Sequence, residues 1–231
     1  MKTKRVYKVS KSRGRASGAE AALRPRVVEA ARGLFFSRGF VRVTADEIAG
    51  RLGISKATLY KSFPSKEEIL RAVVTDYLDQ ALAHIEALLG DGTMGLVDKL
   101  VALFGFVGSR ISLIGPLLMR DMPRSAPRVW REIDDFRRDK IFKNLKGVLE
   151  SGRREGLFRA DLEVDILIEM FADLISRFVN PETILRSGRT PSEIFESVIK
   201  VFFQGILTES GRRDFSARTP ALFEPRKEGV T

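Results

Sequence analysis

The sequence of 231 residues has no cysteine. Disulfides, thiolate nucleophiles and cysteine metal sites are therefore excluded. It has one histidine, His84, and no glycine-rich phosphate loop. That leaves no material for a histidine–carboxylate cluster or a nucleotide cradle, so neither an enzyme nor a cofactor or metal is expected. No apolar run approaches the ~20 residues of a membrane span. The basic first residues are not followed by the apolar stretch of a secretory signal, and a cytoplasmic location is expected. No period-two alternation is sustained, so no sheet is expected. There is no internal repeat.

Hydrophobic residues make up 44% and charged residues 30%, the balance of a globular chain with one or two domains. The formal charge is +10. Residues 1–71 hold 17 Lys/Arg and 6 Asp/Glu, a sum of +11, and residues 72–231 hold 23 and 24, a sum of −1. A basic excess confined to one third of a chain marks a polyanion binder, here nucleic acid. It begins in an arm over 1–19, whose first 18 residues carry seven Lys/Arg and no acid. The arm reads as disordered on its own.

Helical spacing dominates the rest. Leu23, Val27, Ala31, Leu34 and Phe35 give helix 20–38, which Gly39 ends. Thr44 and Glu47 form a capping box for a helix at 45–52, and Ser55 caps one at 56–62. Ser65 and Glu68 form a second box, opening a helix over 66–89. Further helices are read at 94–109, 111–120, 127–153 and 163–179, the last closed by Asn180-Pro181. Thr190 and Glu193 box the start of a helix over 191–208. The tail over 211–231 reads as loose.

The pair 45–52 and 56–62, with Gly53 between and Ala49 at the crossing, is laid out as a helix-turn-helix. Leu59 and Phe63 turn one face of the second helix inward with Ile54. Lys56, Ala57, Thr58 and Lys61 fall on other faces, and Lys56 and Thr58 stand at the end that reaches base edges. Thr44 and Ser55 sit at helix N-termini, where backbone N–H groups favour phosphate. Tyr60 offers a hydroxyl and Lys66 a charge to flanking phosphates. The DNA-binding candidates are therefore Thr44, Ser55, Lys56, Ala57, Thr58, Tyr60, Lys61 and Lys66.

Residues 24–74 resemble the TetR family of bacterial transcriptional regulators. The resemblance rests on Ala30-Ala31-Arg-Gly-Leu-Phe35, Gly39-Phe40, Thr44, Asp46-Glu-Ile-Ala49, Leu52-Gly-Ile-Ser-Lys56, Thr58-Leu-Tyr60, Phe63-Pro-Ser-Lys66 and Glu68. Ala57 departs from the family, which often has glycine there, and Lys61-Ser62 stand where a second aromatic is common. The resemblance implies an all-α homodimer with a three-helix DNA-binding domain over 20–74 (motif 44–63). It also implies a helical domain over 75–210 with a ligand pocket. Repression relieved by the ligand is the implied activity, on a near-palindromic duplex. It carries phosphate roles to Thr44, Tyr60 and Lys66, and reading roles to Lys56 through Thr58.

The helices at 163–179 and 191–208 are apolar nearly all round and need burial on two sides. Pairing with symmetry mates supplies the second side, through Ile168, Phe171, Ile175, Phe195, Val198, Phe202, Phe203 and Ile206. A dimer sets two recognition helices about 34 Å apart. Candidate pocket residues are Phe104, Phe106, Leu113, Leu117, Met119, Trp130, Phe142, Met170, Phe171 and Asp173. Arg110, Arg177 and His84 are further polar candidates. The effector expected is small and largely apolar. The competing reading is a DNA-bound adaptor or architectural protein whose C-terminal half binds another protein.

Overall fold

The computed structural model describes residues 18–218, apart from the side chains of residues 18–21, 141–143 and 181. Residues 1–17 of the basic arm, residues 219–231 of the tail and the Phe142 side chain lie outside the described residues. The described chain is all-α, and its only β pairing is an isolated bridge between Phe158 and Leu207.

Helix α1 (Gly18–Arg38) buries Val27, Ala31, Leu34 and Phe35, an i, i+4, i+7, i+8 stripe. Gly39, at φ 83°, ends it with an N–H bond to the Phe35 carbonyl. Helix α2 (Ala45–Arg51) starts on the complete Thr44–Glu47 box. Gly53, at φ 65°, makes the turn into α3 (Lys56–Ser62), capped by Ser55. Helix α4 (Lys66–Gly90) is capped by Ser65, but Glu68 does not close the expected box. Its carboxylate faces Arg71 at 3.5 Å instead.

Helices α5 (Leu96–Ser112) and α6 (Pro116–Ser125) meet at a 75° bend. The helix expected over 127–153 is two, α7 (Pro127–Phe136) and α8 (Phe142–Arg154), joined by one π-turn at Arg137–Ile141. After α9 (Val164–Phe178), Asn180 serves two helices: its side-chain amide donates to the Ser176 and Arg177 carbonyls and closes α9 as expected. Its side chain accepts the Thr183 N–H and opens the short α10 (Pro181–Ser187). Helix α11 (Pro191–Ile206) has the full Thr190–Glu193 box.

The expectation of a loose tail fails from its first residues. Glu209–Arg218 form α12, which packs on α5 and buries Phe215 completely. Phe215 joins an aromatic cluster around Phe203, with Phe104 at 4.7 Å and Phe158 at 6.0 Å between ring centroids. This cluster is the centre of the C-terminal core.

Candidate functional site

Two sites emerge, a helix-turn-helix and a cavity behind it. In the helix-turn-helix, Ile48, Ala49, Leu59 and Phe63 are buried. Ala49 is 3% exposed at this crossing, and the Ile54 N–H bonds its carbonyl at 3.1 Å. Ser55, Lys56, Ala57, Tyr60 and Lys61 are exposed on α3 or at its start, and Thr58 is half-buried. The structure thus brings the base-reading candidates onto one accessible helix.

The remaining candidates are engaged within the chain. The Thr44 hydroxyl accepts the Glu47 N–H and donates to the Glu47 carboxylate. The Thr44 backbone N–H and the Arg38 guanidinium hold that carboxyl below its usual range. Lys56 Nζ bonds Asp46 at 2.8 Å, which raises its pKa. An exposed pair of this kind is screened by solvent and adds little to stability. Lys66 is different. Its ammonium donates to the carbonyls of Phe40 and Val43 at 3.0 and 2.9 Å and lies 4.4 Å from the Phe40 ring centroid. Burial lowers its pKa, against the opposing charges of Asp121 and Glu47. Its geometry is that of a brace between α4 and the loop before α2: two of its three donors have carbonyl acceptors there.

A second brace joins this unit to α6. Asp121, 5% exposed, accepts the Val41 N–H at 3.0 Å and pairs with Arg120. Gly39 packs so closely that a Cβ there would lie 2.7 Å from the Asp121 carboxylate. At the start of α6 the Gly115 N–H bonds the Phe36 carbonyl at 3.1 Å. A Cβ at Gly115 would lie 2.2 Å from that oxygen. Sequence reading passed over Asp121 and Gly115, since an isolated acid after an arginine and a Gly-Pro pair look like surface and turn. It also passed over Arg24, which donates to the Ser62 carbonyl and stands 4.1 Å from the Phe63 ring.

The other face of α6 lines a cavity of about 160 Å³. Phe36, Val74, Tyr77, Phe106, Ile111, Met119, Met122, Trp130, Ile133, Phe171 and Phe195 are among its walls, with Arg110 and Arg137. Phe106, Met119, Trp130 and Phe171 were pocket candidates. Phe104 lines a neighbouring chamber of about 60 Å³, which shares Ile85, Val107, Phe171 and Phe195 with the cavity. Leu113, Met170 and Asp173 are exposed and do not line the cavity, because their helical faces turn outward. Leu117 packs against the Gly39 turn instead. His84 stacks on Phe106 at 4.0 Å from an exposed position, and Arg177 is exposed.

The dimer candidates need correction. Phe171, Ile175, Phe195, Val198, Phe202, Phe203 and Ile206 are buried within the single chain, and Ile168 is half-buried. The apolar residues left outside are Ile166, Met170 and Phe178 on α9 and Val201 on α11, with Met170 52% and Val201 71% exposed. Periodicity reveals that such a helix has two apolar faces but not which one its own subunit covers.

Comparison with known proteins agrees with this architecture. Residues 27–73 match the family model described as bacterial regulatory proteins, tetR family. The HTH-type transcriptional repressor KstR2 of Mycobacterium tuberculosis is 30% identical over 164 residues, covering 69% of this chain and 80% of the relative. Among solved structures, a putative transcriptional regulator from Saccharomonospora viridis, in complex with choline, aligns with TM-score 0.64 and 22% identity over 82% of this chain and all of that one. SmeT, the repressor of a Stenotrophomonas maltophilia multidrug efflux pump, aligns with TM-score 0.62 and 18% identity over 81% of this chain and 92% of its own. These two likenesses concern the fold. A helix-turn-helix with an exposed second helix, the match over 27–73 and the extended similarity to a named repressor together make this chain a DNA-binding regulator of transcription, and it belongs to the TetR family.

Proposed function

We propose that the chain acts as a homodimeric repressor that holds a near-palindromic operator and releases it when a small, largely apolar effector fills the cavity. On this reading residues 20–74 are the DNA-binding domain, and the effector and dimer domain runs from 75 into α12. Lys56, Ala57 and Thr58 meet base edges, while Ser55, Tyr60, Lys61 and the α2 N-terminus at Thr44 meet phosphates. Lys66 shapes the loop that presents Thr44.

The observation that carries the proposal is the double role of α6. Leu118, Met119 and Met122 line the cavity, while Gly115 and Asp121 are bonded to the DNA-binding unit. A ligand that moves α6 therefore moves the end of α1 and the loop before α2. The shift is a change of populations, driven only by the ligand's differential affinity for the two arrangements.

Selection from random duplexes at ~0.15 M salt, where exposed charges are partly screened, tests the DNA side. An enriched inverted repeat is expected. Binding without an enriched motif would overturn the operator reading in favour of an architectural or adaptor role.

The brace makes a second prediction. Asp121→Ala leaves the Val41 N–H without its acceptor, and is expected to lower unfolding free energy by about 1–3 kcal/mol. Operator affinity should fall with it. Asp121→Asn keeps a carbonyl oxygen for Val41 and should retain most of both. Urea unfolding and operator titration of the two variants check this. Equal behaviour of the alanine variant and wild type would sink the role of α6 as a brace.

A further inference from the structure

The cavity has apolar walls and two cations. Among its lining residues there is no Asp or Glu, only Arg110 and Arg137. A guanidinium placed in an apolar wall needs a counter-charge and acceptors for its donors.

Arg110 is fixed but not satisfied. Its Nη2 donates to the Tyr77 carbonyl at 2.6 Å, and its carbon lies 3.5 Å from the Tyr77 ring centroid. The Tyr77 hydroxyl returns a bond to the Arg110 carbonyl at 2.5 Å. Phe36 packs edge-on against the same tyrosine at 4.9 Å. Yet, among the described residues, the Arg110 Nε is buried with no acceptor, and Arg110 forms no ion pair. A buried donor without a partner costs about 1–3 kcal/mol, and native chains keep few of them.

Arg137 is the second cation. It stands at the first position of the π-turn, where the extra backbone residue changes which side chains face inward. Its side chain is 18% exposed, and its one ionic partner among the described residues is Asp134, at 3.5 Å. Burial pushes its pKa down.

We propose that the effector is a compact monocarboxylate: an apolar body, with its acid group received by the free Nε donor of Arg110 and the positive field of Arg137. This deepens the effector reading above and rests on it. A carboxylate matches the planar donor edge of a guanidinium better than a neutral head does. It also brings a negative charge to a cavity wall of two guanidiniums, of which Arg137 alone has an ionic partner among the described residues. The volume fixes the size of the body. A dry cavity of about 150 Å³ holds benzene, and this one, of about 160 Å³, adjoins the chamber of about 60 Å³ beyond Phe171 and Phe195. A phenyl group or a chain of several carbons fits that shape.

Calorimetric titration of the full chain with hexanoate, octanoate, phenylacetate and 4-phenylbutyrate, each beside its primary amide, tests the proposal. At least one acid should bind tenfold or more tighter than its amide. Arg110→Gln should abolish that preference, and Arg110→Lys should keep part of it. Arg137→Gln should weaken the acid and leave the amide unchanged, which a mere loss of folding would not do. Amides that bind as tightly as acids, an acid preference that survives Arg110→Gln, or no binding by any acid would each overturn it. Operator titration with and without the bound acid separates the two readings. An acid that binds through Arg110 without altering operator affinity leaves this assignment standing and removes the effector mechanism. Operator release by amides alone does the reverse.

Discussion

Phe203→Ala is expected to lower the unfolding free energy by about 3–5 kcal/mol, the range for truncating a buried aromatic. For a chain of this size that corresponds to a drop in Tm of about 6–20 °C. Phe203 is fully buried and stands between Phe104, Phe158, Phe202 and Phe215. No single neighbour can swing into the space it vacates, since the ring contacts come from α5, α11, α12 and the segment after α8. The Phe215 ring, 9° from parallel with Phe203, would lose that stacking contact and loosen α12 with it. Denaturant unfolding, followed at several protein concentrations, separates this core loss from a subunit effect. A loss below about 1 kcal/mol, or one that disappears at high protein concentration, would mean that Phe203 belongs to an interface.

That distinction marks where the sequence was legible. The helix-turn-helix could be read almost to the residue, because its signals are local. Thr44, Ser55 and Gly53 each impose a backbone conformation on their immediate neighbours, and tertiary packing need not be known. The same holds for the Thr190 box. Position 180 shows the limit of local reading: Asn-Pro is read as the end of one helix, and the accepted Thr183 N–H makes it the start of another as well. The inward faces of α9 and α11 were not legible. Phe171 and Met170 are adjacent and both apolar, yet one is buried and the other is 52% exposed. Which of them meets solvent depends on α5 and α8, far away in the chain. The cavity was legible as a set of apolar candidates and missed as an electrostatic site. Arg137 stands in the run Arg-Arg-Asp-Lys, which reads as a solvated face, and the π-turn gives it a position that an unbroken helix would not.

The exposed face yields the second large effect. If the proposed dimer forms through this face, Met170→Glu combined with Val201→Glu is expected to convert it to a monomer. In a twofold interface each substituted position meets the same patch of the partner, so two added charges become four like charges in one apolar region. Desolvating them is unfavourable whichever register the helices adopt. Operator affinity should then fall by about 100-fold or more, since the second half-site is no longer held by linkage to the first. Binding to an isolated half-site should change little, because Lys56 and its neighbours on α3 are untouched. Leu113→Glu is the control: it adds one such charge at a residue 61% exposed, outside α9 and α11. Sedimentation measures the mass, and titration of palindromic and half-site duplexes measures the affinities. If the double variant stays dimeric with full affinity, the twofold axis passes through another face, and the separation of the two recognition helices follows from that face instead.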